Sequence, residues 1–588
     1  GAKRDGSDQS SAIENAITNV YCRSIEQSDG EFIVNRTLKK MLPRTDVKMH
    51  PDAWIKYQNS AGGVIAFLPA DDCSLQVNIN GNQYPLSGNI KDDWIGANSL
   101  GVSSLGVGGG YGFDGNYEVK NVKIKNSKFI NISGPIRADG SQNWLVQGNY
   151  FENIKQSCCL IGATNQSPVI NNKFAHNTSI NIGDTACATF QVIGNPNSKI
   201  SGVQMTNNFA MNTQMRTMGC SFDFEGVENV GDCTDGLISG NIVIQESQLP
   251  TMDTVGRGGV ITGANVSDTL ISNNIVVGKG LGYGIVASFS HNVSILGNMV
   301  RDFPGGGISI LGTTGSIVDG NTLTNCGSLD ANKAAIAVMT QAASVLTKEF
   351  TVRNNTIKYD DFYVRTGTSS AICVESAGGV LASNLKSSID GNEIYDPNGT
   401  GIIIRSTNAT PISGIALNNN KVMSAYAAQS FVIMNAKDIT LDGFYSRGCQ
   451  RFRISGCLGG IRLKNLDIES TVNGVGVLTS TGVEISDSRL VSPNGTYLED
   501  DNQFSDTSKQ NKLSRISGTR RTENKGKRLS SATGVTIPHG LVLAPEFIEL
   551  TWLVSGITSY YVSEINTTNF KVNFVGAASA DLMWKAEV

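Results

Sequence analysis

A short motif that keeps returning is the feature that most constrains this chain. Between about 119 and 490, a β-type run leads into a turn and an Asn-containing corner. Copies lie at 122–129 (VKIKNSKF), 144–151 (WLVQGNYF), 168–174, 236–242, 269–275, 293–299, 316–322, 350–356, 388–393 and 415–421. The corners recur mostly at spacings in the low to middle twenties, with longer gaps where loops are inserted. Within each copy apolar and polar residues tend to alternate, the period of a half-buried strand. Gly, Asn and β-branched residues at these positions would each weaken a helix. A unit of about two dozen residues cannot close its own core, but stacked on its neighbours it can. Parallel strands then pair coil to coil at about 4.8 Å, with Asn side chains laddered at the corners. The expected fold is all-β, a right-handed parallel β-helix of about fourteen coils.

Composition narrows the function classes. Forty-seven basic against fifty-one acidic residues leave a net charge of −4, which argues against wrapping nucleic acid. No run approaches the roughly 20 apolar residues of a membrane span, so no membrane insertion is expected. The eleven cysteines are odd in number and lack metal-type spacing. They read as buried thiols of a protein folded in a reducing cytoplasm, with no metal site and no cofactor motif. Since the sequence starts at Gly1, it reads as trimmed or processed, with a native N-terminal module missing.

At the N-terminus a loop runs into a short amphipathic helix over 10–17. A solenoid end exposes apolar surface and strand edges, so this helix is expected as the cap. Gly1, Ala2, Asp5, Gly6, Asp8, Ala12, Ile13, Ala16 and Ile17 resemble the opening motif of the pectate-lyase-like superfamily. With the coils to about 490, the chain is similar to bacteriophage tailspike depolymerases. That resemblance implies a homotrimer joined to a phage tail or baseplate through the missing N-terminal module. It also implies a virion-tail location and a bacterial capsular or lipopolysaccharide glycan as partner. The superfamily spans lyases, hydrolases, epimerases and adhesins, so fold alone does not assign activity.

The domain expectation is a cap with its first strands over 1–75 and a β-helix with a catalytic groove over 76–502. A basic linker over 503–534 and a small C-terminal β-sandwich over 535–588 follow, the latter for trimerisation or glycan contact. Trp552 and Trp584 are expected mainly as its core.

Catalytic groups must come from outward positions. The four His (His50, His176, His291, His539) are scattered, and no serine-triad, zinc-protease or phosphate-loop pattern occurs. Glycoside hydrolysis needs two carboxyls flanking the bond. The best cluster is 219–226, GCSFDFEG. With Phe222 and Phe224 inward, Asp223 and Glu225 share an outward face with α-carbons roughly 6.6 Å apart. Insertions at 207–219 and 245–257 would wall a groove beside them. These bring Asp253 as a third catalytic candidate, and Arg216, Glu246 and Arg257 as substrate-binding candidates. Gln191 is expected one coil below Glu225, with Arg137 further down. Tyr283 is a candidate sugar-stacking ring, along with Phe303, Tyr359 and Phe362. A second cluster holds Asp360, Asp361, Glu375 and Arg405, with Asp302 and Asp330 nearby; Glu375 and Arg405 read as a structural ion pair.

Three functions fit these features. One is an endo-acting glycosidase on a bacterial surface polysaccharide, using carboxylate acid/base chemistry. Another is a polysaccharide lyase acting on uronic acids by β-elimination. The remaining one is a glycan-binding adhesin without catalysis.

Overall fold

The computed structural model describes residues 7–20, 24–27, 29–57, 64–82, 100–104, 118–163, 167–182, 188–194, 198–212, 220–226, 233–245, 259–279, 282–327, 334–340, 347–360, 369–376, 386–407, 409–426, 428–472, 474–492, 507–519, 522–530, 534–541, 543–576 and 580–588. The chain divides into two compact units, 1–339 with 345–351, and 340–344 with 352–588. In the first unit the capping helix spans Ser10–Ile17, as the sequence predicts, and buries Ile13 and Ile17. Asp8 accepts the Ser10 backbone N–H at 3.0 Å. Glu14 is also buried; Arg36 at 2.6 Å and the Lys39 N–H at 3.0 Å hold its carboxyl below the ordinary range.

Parallel coils start at once. Ser24–Gln27 pairs in register with Asp46–Met49, and Gly30–Val34 with Ala53–Tyr57. The β-helix therefore begins within the segment expected as cap and first strands. One coil shows the plan: Gly134–Asp139 lies on one face, Ser141–Gln142 on a short second face, then Leu145–Gln147 and Tyr150–Ile154 form two arms of a third. Cys159–Gly162 then returns to the first face, one rung up. Inward positions alternate along each strand and form the core. On the first face these are Ile136 and Ala138, Cys159 and Ile161, Phe190 and Val192, and Phe222 and Phe224, all 1% exposed or less. Phe190 stacks on Phe222 at 5.5 Å, and Phe129 on Phe151 at 5.3 Å. Each buried ring contributes about 1.5–3 kcal/mol. Nine of the eleven cysteines are described; each is a buried free thiol, and burial lifts Cys326 and Cys373 to about 12.

The second unit repeats this scheme, with Ser370–Ser376, Thr400–Ser406, Gln429–Met434, Phe452–Ser455 and Val475–Leu478 in parallel register. The expected linker over 503–534 is corrected by the structure. Lys512–Gly518 adds a parallel rung to Thr481–Val491, burying Ile516. Glu523–Ser530 is an antiparallel partner of Ala580–Glu587 in the C-terminal sandwich. Its charged sequence hides this, because a strand at a sheet edge sends many side chains to solvent. The sandwich core gathers Ile537, Leu541, Phe570, Val572, Leu582 and Trp584, with Trp552 packed against it. Both tryptophans serve as core.

What repeats in sequence is a two-residue turn between the arms. Its first residue is left-handed, as in Asn126, Gly148, Asn207, Gly240 and Asn273, with φ of 50–68°. Asn and Gly are the residues that tolerate this conformation. At Gly240 a Cβ would also come within 2.4 Å of the Asn207 side-chain oxygen one coil below. The second residue is a ladder Asn: Asn149, Asn177, Asn208, Asn241, Asn274, Asn298 and Asn321 in the first unit, each at most 1% exposed. Asn208 donates its backbone N–H and its amide to Asn241 Oδ1, at 2.9 and 3.0 Å. The amide also reaches the Phe174 carbonyl at 3.0 Å. Asn355, Asn392 and Asn420 repeat the arrangement in the second unit. Replacing Asn241 with Ala strands buried donors on the coil below, and we predict a loss of about 3 kcal/mol. Asn207→Gly, at the left-handed position of the turn one coil below, changes stability by about 0.5 kcal/mol or less. Thermal unfolding of the two variants checks this; equal midpoints would contradict the ladder's role.

Candidate functional site: a carboxyl pair on the first face

The Phe222–Glu225 strand runs between Phe190–Ile193 and Gly259–Ala264. Because Phe222 and Phe224 fill the core, alternation sends Asp223 and Glu225 to the outward face. They are nevertheless covered, at 2% and 5% exposure. In-register pairing puts Gln191 beneath Asp223 and Ile193 beneath Glu225, with Thr262 and Ala264 above. Gln191 therefore lies one coil below Asp223 rather than below Glu225, because Phe190 pairs with Phe222 and fixes the register. Its amide donates to Asp223 Oδ2 at 2.8 Å. Cys220 sits just before the strand, buried, its thiol donating to the Gly259 carbonyl at 2.8 Å.

The other candidates are distributed as follows. Arg216, Glu246, Asp253 and Arg257 lie outside the described residues. Tyr283 is fully buried, and a Cβ on Gly306 would fall 2.1 Å from its ring. It offers no face to a sugar, so its assignment to substrate binding is corrected: its alternation puts it with Ile285 and Ala287 in the core. Phe303 and Tyr359 are buried likewise, and Phe362 lies outside the described residues. In the second unit Arg405 Nε meets Glu375 Oε2 at 2.6 Å from the neighbouring rung, the ion pair read from the sequence. Asp302 is held by Arg301 at 2.9 Å and Asn325 at 3.0 Å, and Asp360 faces Lys358 at 3.6 Å. Asp330 and Asp361 lie outside the described residues.

The sequence reading passed over a further acid. Asp139 lies on the same outward face, in the column that rises through Gly162 and Ile193 to Glu225. It is 4% exposed, and desolvation lifts its pKa from 3.8 to about 6 against the opposing pull of Arg137. Its alternation with the core residues Ile136 and Ala138 was the available signal.

The raised value has a sign for stability. The folded chain keeps this proton up to about pH 6, whereas the unfolded chain releases it near pH 4. Stability from this group therefore falls as pH rises through that window and stays reduced above it. We predict that Asp139→Asn stabilises the protein by about 2 kcal/mol near pH 7.5 and by nearly nothing near pH 4. Thermal melts at the two pH values check this; a gain independent of pH would contradict the ionisation.

No protein-family model and no curated protein matches this chain. Solved structures do. The Pseudomonas phage phi297 tailspike gp61 is 10% identical, covering 98% of this chain and 91% of its own, with a TM-score of 0.33. A tailspike protein mutant of E. coli bacteriophage HK620, in complex with pentasaccharide, is 11% identical over 99% and 90%, with a TM-score of 0.35. PfbA, a surface adhesin of Streptococcus pneumoniae, is 12% identical over 76% and 92%, with a TM-score of 0.31. At these identities and scores the likeness assigns no activity or residue role. Phage tailspikes are thus among the solved structures that this long parallel β-helix is similar to.

Proposed function

We propose that this chain is an endo-acting glycosidase that cuts a bacterial surface polysaccharide, capsule or O-antigen, while held on a phage tail during host adsorption. One observation carries the reading: two carboxyls, Asp223 and Glu225, sit side by side on the outward face of one rigid strand and are both buried. Burying a carboxyl is unfavourable unless the chain gains something from it, and two adjacent ones more so. Acid/base cleavage of a glycosidic bond needs this pairing, with one group protonated and the other ionised. In the proposed division Asp223, oriented by the Gln191 amide, acts as base or nucleophile. Glu225, with apolar Ile193 and Ala264 in its column, delivers the proton. Asp253, Arg216, Glu246 and Arg257 remain proposed partners in catalysis and substrate grip, on the ground that they flank the strand in sequence.

The same burial favours a second reading, a glycan-binding chain that does not cut, in which the Gln191–Asp223 contact is only structural. Substitution separates the two. Asp223→Asn and Glu225→Gln keep the shape of each side chain, and each should lower the release of reducing ends from host polysaccharide by at least about 100-fold. The melting curve should stay cooperative. Unchanged turnover in both variants would remove the site assignment.

Assembly as a homotrimer is part of the proposal. Its support is a set of exposed apolar side chains on the C-terminal sandwich, among them Phe547, Tyr561, Val575 and Met583, each at least half exposed. Such surface on a small module is a mark of association. Sedimentation velocity should give a trimer; a monomer at micromolar concentration would overturn it.

A further inference from the structure

Resting on the glycan reading of this face, we propose that Asp139 forms a second sugar-binding subsite, in line with the acid pair and three rungs along the helix. The ligand class is a linear oligosaccharide running parallel to the coil axis, with a pair of sugar hydroxyls donated to the Asp139 carboxyl. Three rungs at about 4.8 Å separate the Asp139 and Glu225 positions by about 14 Å, too far for both to act on one bond.

What lies between them suits a sugar chain. Directly above Asp139 the next rung offers Gly162, which has no side chain to fill the space. Beside it is Leu160, and one rung higher Ile193; both are only half-buried, unlike the acids at either end. Sugars present apolar C–H faces and polar rims. An apolar strip with a carboxyl at each end matches that pattern. The Asp139 carboxyl itself supplies the second observation. It is more than nine-tenths buried, yet among the described residues its carboxyl oxygens accept no hydrogen bond; its backbone N–H donates to Ser104 Oγ at 3.1 Å. The charge of Arg137, two residues earlier on the same strand face, is the one described group that draws it towards ionisation. A largely buried carboxyl with no protein donor is costly to the fold. Two hydroxyls arriving from a ligand would provide those donors.

The test uses the full chain and glycan fractions prepared by mild acid hydrolysis of capsule and O-antigen, so that it does not depend on the chain's own activity. Disaccharide and hexasaccharide fractions are titrated into the unaltered protein, Asp139→Ala and Asp139→Asn. In the unaltered protein the hexasaccharide should bind more tightly than the disaccharide. Asp139→Ala should reduce that length advantage about tenfold, and Asp139→Asn, which keeps an acceptor and the fold, should restore part of it. A length advantage equal in all three proteins, or no binding of any fraction, would overturn the subsite. Turnover by Glu225→Gln is read separately: if that variant still cuts while Asp139→Ala loses the length advantage, the subsite stands and the catalytic assignment falls.

Discussion

The coil-to-coil pairing, locked at its corner by the buried Asn ladder, is the constraint on which the rest depends. A ladder Asn bonds the Asn of the next rung through both its backbone N–H and its side-chain amide. A slip of one residue would leave both donors stranded in the core. It would also turn every outward side chain inward. The position of each polar group on the first face is therefore set by hydrogen bonds on another part of the same coil.

That coupling explains how the fold can hold carboxyls where solvent hardly reaches. The Phe190 and Phe222 rings stack inside the coil and pin the two strands in register. Outside, the same register brings the Gln191 amide to Asp223. A side chain on a loop would lose rotamer and backbone freedom to stay in such a place, whereas a strand inside a long parallel sheet has already lost it. Orientation is thus supplied by packing that also stabilises the repeat, and the polar groups need supply only the chemistry.

Much of this was legible in the residues. Gly-Asn and Asn-Asn pairs mark most of the two-residue turns, because Gly and Asn accept the left-handed position most readily and the Asn amide ladders from coil to coil; His176 and Ser127 take the first and second positions in single turns. The alternation in Phe-Asp-Phe-Glu places both acids outward without reference to any other part of the chain. Contacts between coils were harder to read. Loops of unequal length separate Gln191 from Asp223, so counting residues shifted the alignment by two positions, from Asp223 to Glu225. Tyr283 looked like a surface ring until its strand parity, shared with Ile285, put it in the core. The basic run before the sandwich concealed two strands, since its apolar partners lie in distant segments such as 580–587. Asp139 was missed because a single acid in a half-apolar strand carries no motif; only the stacking of Gly162, Ile193 and Glu225 above it gives it a place.

Mass spectrometry of the products from host polysaccharide is the most direct measure of whether the acid pair on the first face cleaves by hydrolysis. Hydrolysis adds one molecule of water at every cut, so the account predicts fragments whose masses equal whole repeats plus water. Fragments at the bare repeat mass with a new double bond at the non-reducing end would mean elimination. Polymer recovered uncut would mean that this face only binds, and either result would contradict the account.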